Sequence, residues 1–262
     1  MNSQKSNTVL QAFEKACTYN HKGEKTISGS QLGKDTLQIY LNLKYPNRDT
    51  EAFKVTQASL GSIFHLGMEK AIEMMNEGHK TEVEVSMPLM AGWMLTGTVD
   101  MIEFVDGEPV LHDYKLTKIY KGKMLRKEFA NFVTTDAYAL QLNAYSVMFD
   151  EEKHRARKTK MILDMFYKDA NELKGENAYE PIDVPFMSAT DIIVLANEKV
   201  MELEKYLNSD SVPPECEDKW IRKTRTGEVI KTRCELYCDV KNVCPYYNNH
   251  GKSTLEKVGW GF

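Results

Sequence analysis

The sequence predicts an α/β fold in which helices flank a mixed central β-sheet, followed by a cysteine-rich C-terminal segment. Three observations support this prediction. Apolar residues recur at helical spacing up to Gly78 and then alternate along short runs, which is typical of strands. Asp106-Gly107 separates two such runs and is a strong hairpin signal. Helical and extended patterns alternate after that hairpin, as expected for helices that cover a sheet.

The first third of the chain contains three predicted helices. "SNTVLQAFEKACTY" places Val9 and Phe13 on one face. "SGSQLGKDTLQIYLNLKYP" begins with polar capping candidates and ends at Pro46, which cannot continue a helix. "SLGSIFHLGMEKAIEMMNEGH" is the third, and Gly78 closes it.

The remaining elements follow from spacing and turn signals. "TEVEVSMP" is a strand, and "GWMLTGTVDMIEFV" and "EPVLHDYKL" form the hairpin. Helices are expected near Lys123–Phe132 and Asp136–Phe149. "KTKMILDMFY" reads as a buried strand, and the prolines of "AYEPIDVPF" place it at a sheet edge. Ser188 is a candidate cap of the last long helix.

Length and composition favour an ordinary globular protein. The 262 residues suit a single domain with three parts: an N-terminal helical part (1–80), an α/β core (81–208) and a cysteine-rich segment (209–262). The net charge of −4 gives no global cationic signature, so basic surface for a nucleic acid would have to be local.

Targeting signals are also informative. No apolar run reaches about 18 residues, so we expect no membrane span and no membrane partner. The N-terminus lacks a charged region followed by an apolar one, so a secretory signal is not expected. Cysteines without such a signal indicate a reducing compartment, which favours the cytoplasm.

The predicted hairpin carries charge where a strand normally buries apolar groups. Asp113 and Lys115 are two residues apart and therefore share a face, and Asp100 on the partner strand can lie beside them. Neighbouring carboxylates repel each other unless a cation lies between them. A Mg²⁺ or Mn²⁺ ion would suit this set, and Lys115 could act on an attacking water or on phosphate charge. Taken alone, the triplet also fits a solvated sheet edge.

Two helical pairs accompany the hairpin. His65 and Glu69, and likewise Gln141 and Tyr145, are four residues apart and lie on one helix face. Each pair alone also fits an ordinary core or surface contact.

In order, the four features are H-x3-E, G-x-x-D at Gly97–Asp100, D-x-K at Asp113–Lys115 and Q-x3-Y. This series resembles the RecB-type branch of the PD-(D/E)xK nuclease superfamily, which includes CRISPR-associated and phage-encoded exonucleases. The resemblance extends from about Ile27 to Cys244 and implies a restriction-endonuclease-like core. It also implies the cytoplasm of a bacterium or of a phage-infected host cell as the location. The "PD" of the superfamily is not literal here, because Thr98-Val99 precede the aspartate.

The resemblance implies a role for each matching residue. His65, Asp100, Asp113 and the backbone carbonyl of Tyr114 would bind the catalytic Mg²⁺ or Mn²⁺, and Lys115 would be the catalytic lysine. Gln141 and Tyr145 would steady Lys115 and the DNA strand. Glu69 would orient His65 or reach the metal indirectly.

The C-terminal segment contains a second candidate metal site. Four thiolates could bind zinc or an iron-sulfur cluster, and the cysteines are Cys216, Cys234, Cys238 and Cys244. Relatives in the resembled branch carry a four-cysteine [4Fe-4S] cluster with C-x2-C-x5-C spacing, whereas this chain has C-x3-C-x5-C. Cys17 is the alternative to Cys216 as the fourth ligand. Five unliganded thiols remain the plain alternative.

Two basic stretches are candidates for DNA contact, because interleaved lysine, arginine and aromatic residues can follow a phosphate backbone. An ordinary solvated charged face is the alternative for both. The candidate DNA-binding residues are Lys118, Lys121, Lys123, Arg126, Trp220, Arg222, Lys223 and Arg225.

These features predict a metal-dependent DNA exonuclease or end-processing nuclease of recombination, repair or DNA processing. Its substrate would be single-stranded DNA or DNA with free ends. No G-x4-G-K-[ST] motif is present, so unwinding would come from a helicase or recombination partner. One alternative is a catalytically idle module that binds nucleic acid or protein, and another is an unrelated metal-dependent hydrolase. Strand polarity and oligomeric state are left open.

Overall fold

The structure is a computed structural model that describes residues 25–46, 52–75, 77–132, 134–152, 159–217, 221–223 and 229–249. Its central sheet has six strands among the described residues. They are β1 (Thr26–Ser28), β2 (Lys80–Pro88), β3 (Met94–Val105), β4 (Glu108–Thr117), β5 (Lys160–Tyr167) and β6 (Tyr179–Asp183).

The described helices lie between these strands and after them. They are α1 (Thr36–Lys44), α2 (Ala52–Met75), α3 (Ile119–Ala130), α4 (Ala137–Glu152), α5 (Ala189–Leu207) and α6 (Pro245–Asn249). A short antiparallel hairpin, β7 (Ile221–Lys223) and β8 (Val229–Lys231), forms a separate sheet.

The central sheet is mixed. Strand β3 pairs antiparallel with β2 and β4 and parallel with β1, and β5 pairs parallel with β4 and antiparallel with β6. The parallel β4–β5 pair requires a crossover, which contains α3 and α4. The predicted α/β fold with helices around a mixed sheet is therefore confirmed, and β6 lies at a sheet edge as expected from its proline.

The predicted hairpin between β3 and β4 is also present. Val105 pairs with Glu108, so the turn has two residues. Asp106 and Gly107 have φ angles of 52° and 81°, the left-handed values that a two-residue hairpin turn of this type requires. The turn fixes the register that brings β4 alongside β3.

Strand β3 changes neighbours along its length, which leaves part of the strand without a neighbouring strand on one side. Its residues Met94–Thr96 pair with β1, whereas Met101–Val105 pair with β4. Between these two segments lies Gly97–Asp100, which pairs with neither β1 nor β4, although Gly97–Val99 pairs with β2 on the other side. We call this stretch the β3 fork.

Tyr145 of α4 packs against the β3 fork. The tyrosine is 5% exposed. A Cβ atom added to Gly97 would lie 2.2 Å from its Cε1 atom, and one added to Gly29 would lie 2.8 Å from the same atom. Glycine is therefore required at Gly97 for the ring to approach the strand.

Two compact units divide the described residues. One unit extends to Lys34 and resumes from Ala58 to Met201, so it contains the central sheet. The other contains Asp35–Gln57 and the chain from Glu202 onward, including the described cysteines. No helix of the described residues is long and apolar enough to cross a membrane.

The structure corrects three boundaries. The helix expected from Ser28 is wrong at its start, because β1 and a 3₁₀ turn (Gly29–Gln31) precede α1. The helix predicted near Lys123–Phe132 begins earlier, at Ile119. The C-terminal segment is less irregular than expected because it contains β7, β8 and α6. The predicted N-terminal helix lies outside the described residues.

Replacing Gly97 with alanine should destabilise the protein by about 1–3 kcal/mol, because the new methyl group would displace the Tyr145 ring. Urea unfolding followed by circular dichroism measures this change. Gly67→Ala is the matched control. It lies in α2 with open space around its Cβ position, so the substitution should stabilise the helix by about 0.5–1 kcal/mol. Equal stability of Gly97→Ala and the wild type would contradict the packing argument.

Candidate active site

Asp100 and Asp113 meet at the β3 fork. Their residues are 8% and 1% exposed. Beyond the Met101–His112 pair, the antiparallel register would bring Asp100 opposite Asp113. There the backbone N–H of Tyr114 donates to Asp100 Oδ2 at 2.7 Å. A side-chain carboxylate thus takes the place of a strand partner, which satisfies an amide that the diverging strands would leave unpaired.

The other oxygen of Asp100 faces an imidazole. His65 Nδ1 lies 3.3 Å from Asp100 Oδ1, and α2 supplies the histidine. Because the N–H and C=O groups of one strand residue point toward the same neighbour, the Tyr114 carbonyl also faces the fork.

Glu82 completes a compact set of possible ligands with these two residues. One donor atom from each of His65, Glu82 and Asp100 lies within 4.8 Å of the other two. Thr81 pairs with Met101 and Val83 with Val99, so Glu82 stands opposite Asp100 across the sheet. Its φ angle of 49° is left-handed and breaks the regular strand at this position.

A hydrogen-bond chain links Asp113 to α4. Gln141 Nε2 donates to Asp113 Oδ1 at 2.7 Å and lies 3.1 Å from the Tyr145 hydroxyl, to which it also donates. Lys115 Nζ lies 2.5 Å from Asp113 Oδ2, an ion pair whose lysine side chain is 16% exposed. The i, i+4 spacing of Gln141 and Tyr145 therefore directs both side chains toward the sheet. Gln141 contacts Asp113 on β4, and Tyr145 packs against Gly97 on β3.

Burial and the nearest opposite charge act in opposite directions on the pKa values of Asp113, Lys115 and His65. Burial raises the pKa of Asp113 to about 6, although the Lys115 ammonium acts to lower it. Burial acts to lower the pKa of Lys115, but Asp113 and Asp100 outweigh it and the pKa is raised. Burial also acts to lower the pKa of His65. The hydrogen bond between His65 and Asp100 acts in the other direction, and the pKa is raised overall. The pKa of Glu82 is raised by burial and by Asp100.

A cavity of about 450 Å³ lies against the His65 side of the site. His65, Glu69, Glu82 and Asp100 line it together with Gly61, Ser62 and Leu66. Glu69, predicted from its spacing to His65, therefore faces the same space as the three possible ligands.

The aromatic ring of Tyr138, on α4, lies next to Lys115. The centroid of this ring is 5.1 Å from Lys115 Nζ and 5.0 Å from Lys121 Nζ on α3. Sequence reasoning missed Tyr138, although it lies three residues before Gln141 on the same helix face. It also missed Glu82, because its pairing with Asp100 depends on strand register that no local pattern reveals.

The predicted DNA-contact residues have different environments. Lys121 forms an ion pair with Asp136, and Arg126 forms one with Glu180, so both cations are already partnered. Lys118, which directly precedes α3, and Lys123, which lies on α3, are both exposed. Trp220 and Arg225 lie outside the described residues, and for Arg222 and Lys223 only the backbone of β7 is described.

The described cysteines lie in the other compact unit. All four are reduced thiols: Cys216, Cys234, Cys238 and Cys244. Burial raises the pKa of Cys216 to about 12; Asp35 contributes, and so do the nearby thiols of Cys238 and Cys234. Gln38 Nε2 donates to Cys238 Sγ at 3.6 Å. Cys17, the alternative fourth ligand, lies outside the described residues.

Comparison with known proteins identifies the family. A family model of the PD-(D/E)XK nuclease superfamily matches residues 73–245, well over half of the chain. The chain belongs to the PD-(D/E)XK nuclease superfamily.

Two solved structures align with the chain at low sequence identity, and the first of them shares its fold. The crystal structure of SSO0001 aligns with 92% of this chain and 96% of its own at 18% identity, with a TM-score of 0.58. A proposed exonuclease from Eubacterium rectale aligns with 93% of this chain and 82% of its own at 9% identity and a TM-score of 0.37. None of the curated proteins has a significant sequence match to the chain.

The raised pKa of Asp113 predicts a specific pH dependence of the metal-free protein. The folded carboxyl binds its proton up to about pH 6, whereas the unfolded one releases it near pH 4. Between these values the folded state binds more protons, so stability falls as pH rises. The wild type should therefore lose about 2–3 kcal/mol relative to Asp113→Asn between pH 4 and pH 6.

Urea unfolding of both proteins in EDTA across this range measures the difference. Asp183→Asn is the control, since that aspartate forms only an exposed ion pair with Lys160. A stability difference that is flat, or that rises with pH, would contradict the burial argument for Asp113.

Proposed function

We propose that the protein is a metal-dependent deoxyribonuclease that acts at DNA ends, as an exonuclease or end-processing enzyme. The observation that carries the proposal is the convergence of Asp100, Asp113 and Lys115 at the β3 fork. Gln141 donates to Asp113 and to the Tyr145 hydroxyl, which ties α4 to the same site. The order of these motifs also supports the RecB-type branch, with its CRISPR-associated and phage relatives. We retain a bacterial or phage-infected cytoplasm as the expected location.

The donor set suits a hard divalent cation. Two carboxylate oxygens and one imidazole nitrogen lie within 4.8 Å of one another, a combination that Mn²⁺ and Mg²⁺ accept. His65, Glu82 and Asp100 would hold the ion, with Asp113 and the Tyr114 carbonyl on the strand side. A bound ion polarises a phosphoryl oxygen and lowers the pKa of bound water.

The residues of the chain supply positioning and charge. The Lys115 ammonium offsets negative charge on the scissile phosphate and orients the attacking water. Gln141 fixes Asp113 Oδ1, so the aspartate keeps its other oxygen toward Lys115. Tyr145 holds Gln141 through its hydroxyl and fills the fork beside Gly97, which limits water behind the carboxylates.

The path of the DNA strand is proposed from exposure and charge. Lys118 and Lys123 are exposed and form no ion pair with the described residues, so their ammonium groups are available to phosphates. Lys121 and Arg126 would have to exchange Asp136 and Glu180 for the substrate. A helicase or recombination partner that presents the DNA end remains part of the proposal.

The cysteines are proposed to bind a structural [4Fe-4S] cluster or Zn²⁺. The support is that the Cys234 and Cys238 thiols lie near enough to Cys216 to act on its pKa. Metal analysis and the visible absorption spectrum of anaerobically purified protein separate the alternatives. Iron with a broad visible band indicates the cluster, zinc without colour indicates a zinc site, and neither metal at stoichiometric amounts contradicts both.

Purified protein should degrade end-labelled linear DNA in Mg²⁺ or Mn²⁺ and should be inactive in EDTA. Single- and double-stranded linear and circular substrates reveal whether an end is needed. Asp113→Asn and Lys115→Ala should lower kcat by about 100-fold or more. Lys160→Ala is the matched control, because that lysine lies on β5 in an exposed ion pair with Asp183 and should leave kcat unchanged.

Folding of each variant is checked by its thermal unfolding curve. Wild-type protein that binds DNA but cleaves no substrate with either metal would contradict the enzyme proposal and favour a binding module. Cleavage that survives both active-site substitutions would show that the chemistry lies elsewhere.

A further inference from the structure

Lys115 carries the charge on which the proposed chemistry depends, and its surroundings include two kinds of partner. The charged partner is Asp113, at 2.5 Å. Asp113 is also a proposed metal ligand, so a bound cation competes with the ammonium for the same carboxylate. A neutral partner would hold Lys115 in either state, since it neither binds the cation nor loses its attraction for the lysine.

Tyr138 has the geometry of such a partner. Lys115 Nζ lies 5.1 Å from its ring centroid, within the range of about 6 Å at which a cation is attracted to an aromatic face. The ring belongs to α4, three residues before Gln141 and seven before Tyr145. All three side chains therefore project from one face of the helix, and the other two contact Asp113 and the β3 fork.

The position of Tyr138 is itself fixed at the start of α4. Asp136 precedes the first helical residue, and its Oδ1 atom accepts a hydrogen bond from the Tyr138 backbone N–H at 2.9 Å. The same carboxylate forms an ion pair with Lys121, whose Nζ lies 5.0 Å from the Tyr138 ring. One capping carboxylate thus places the ring and a second cation together.

We propose that Tyr138 is a positioning residue that holds the Lys115 ammonium at the scissile phosphate through a cation–π contact, with Lys121 on the same ring for a neighbouring phosphate. The inference rests on the proposed function, because it takes Lys115 as the lysine of the reaction. It adds Tyr138 to the Q-x3-Y pair. It also assigns the contact with Lys115 to the aromatic ring of Tyr138 rather than to its hydroxyl group.

Substitutions at position 138 distinguish the effect of the aromatic face from the effect of side-chain size. Tyr138→Phe keeps the aromatic face and should retain kcat within about twofold, whereas Tyr138→Leu fills similar space without it and should lower kcat by about five- to thirtyfold. Tyr138 acts on the position of Lys115, so KM for a long DNA substrate should change much less than kcat. Tyr206→Leu is the matched control, because Lys205 Nζ lies 5.0 Å from that ring and both residues belong to the other compact unit.

Fluorinated phenylalanines give the sharper measurement. Successive fluorines at position 138 withdraw charge from the ring face while the shape changes little, so kcat should fall stepwise from phenylalanine to its trifluoro form. A kcat that is the same along the series, or a leucine variant as active as the wild type, would overturn the cation–π assignment.

A spectroscopic readout keeps this test independent of activity. The ε-CH₂ protons of Lys115, assigned by comparison with Lys115→Arg, should be shifted upfield by the ring in wild type and Tyr138→Phe but not in Tyr138→Leu. Unchanged shifts across these proteins would overturn the contact. If the wild type cleaves no DNA while the upfield shift is present, the proposed nuclease function fails and the Lys115–Tyr138 contact stands.

Discussion

The hydrogen bond from the Tyr114 amide to Asp100 Oδ2 is the interaction on which the rest of the site depends. Strand β3 pairs with β4 only from Met101 onward, so the β4 amides beyond His112 that point away from β5 need another acceptor. Asp100 supplies it with one oxygen and turns the other toward His65. A single aspartate therefore satisfies an amide at the end of the β3–β4 pairing and also contributes an oxygen to a possible metal site.

The electrostatic cost of this arrangement is distributed over several elements. Asp113 is almost completely buried, and burial raises its pKa despite the adjacent Lys115. Glu82 adds a further carboxylate opposite Asp100 in a strained left-handed backbone. Carboxylates this close together repel each other, which destabilises the folded chain. The same excess of carboxylate makes the site attractive to a divalent cation, and Gln141 and Tyr145 keep its geometry fixed from α4.

Local patterns predicted much of this structure, and long-range register determined the rest. The Asp106-Gly107 turn and the alternation in β2 were readable from the sequence because turn chemistry and strand periodicity are local. The spacing of Gln141 and Tyr145 predicted a shared helix face for the same reason. Glu82 could not be predicted as a neighbour of Asp100, because its place depends on how β2 aligns with β3. The three-residue β1 was missed, since it is too short to show a period and exists only through its pairing with β3.

Anomalous diffraction from crystals soaked in Mn²⁺ tests the central claim most directly, namely that the fork in β3 builds one cation site from α2, β2, β3 and β4. We expect an anomalous peak with Asp100 Oδ1, His65 and Glu82 at coordination distance of about 2.0–2.3 Å, next to Asp113 and the Tyr114 carbonyl. A peak that uses neither Asp100 nor Asp113, or the absence of any peak at the fork at saturating Mn²⁺, would contradict the account.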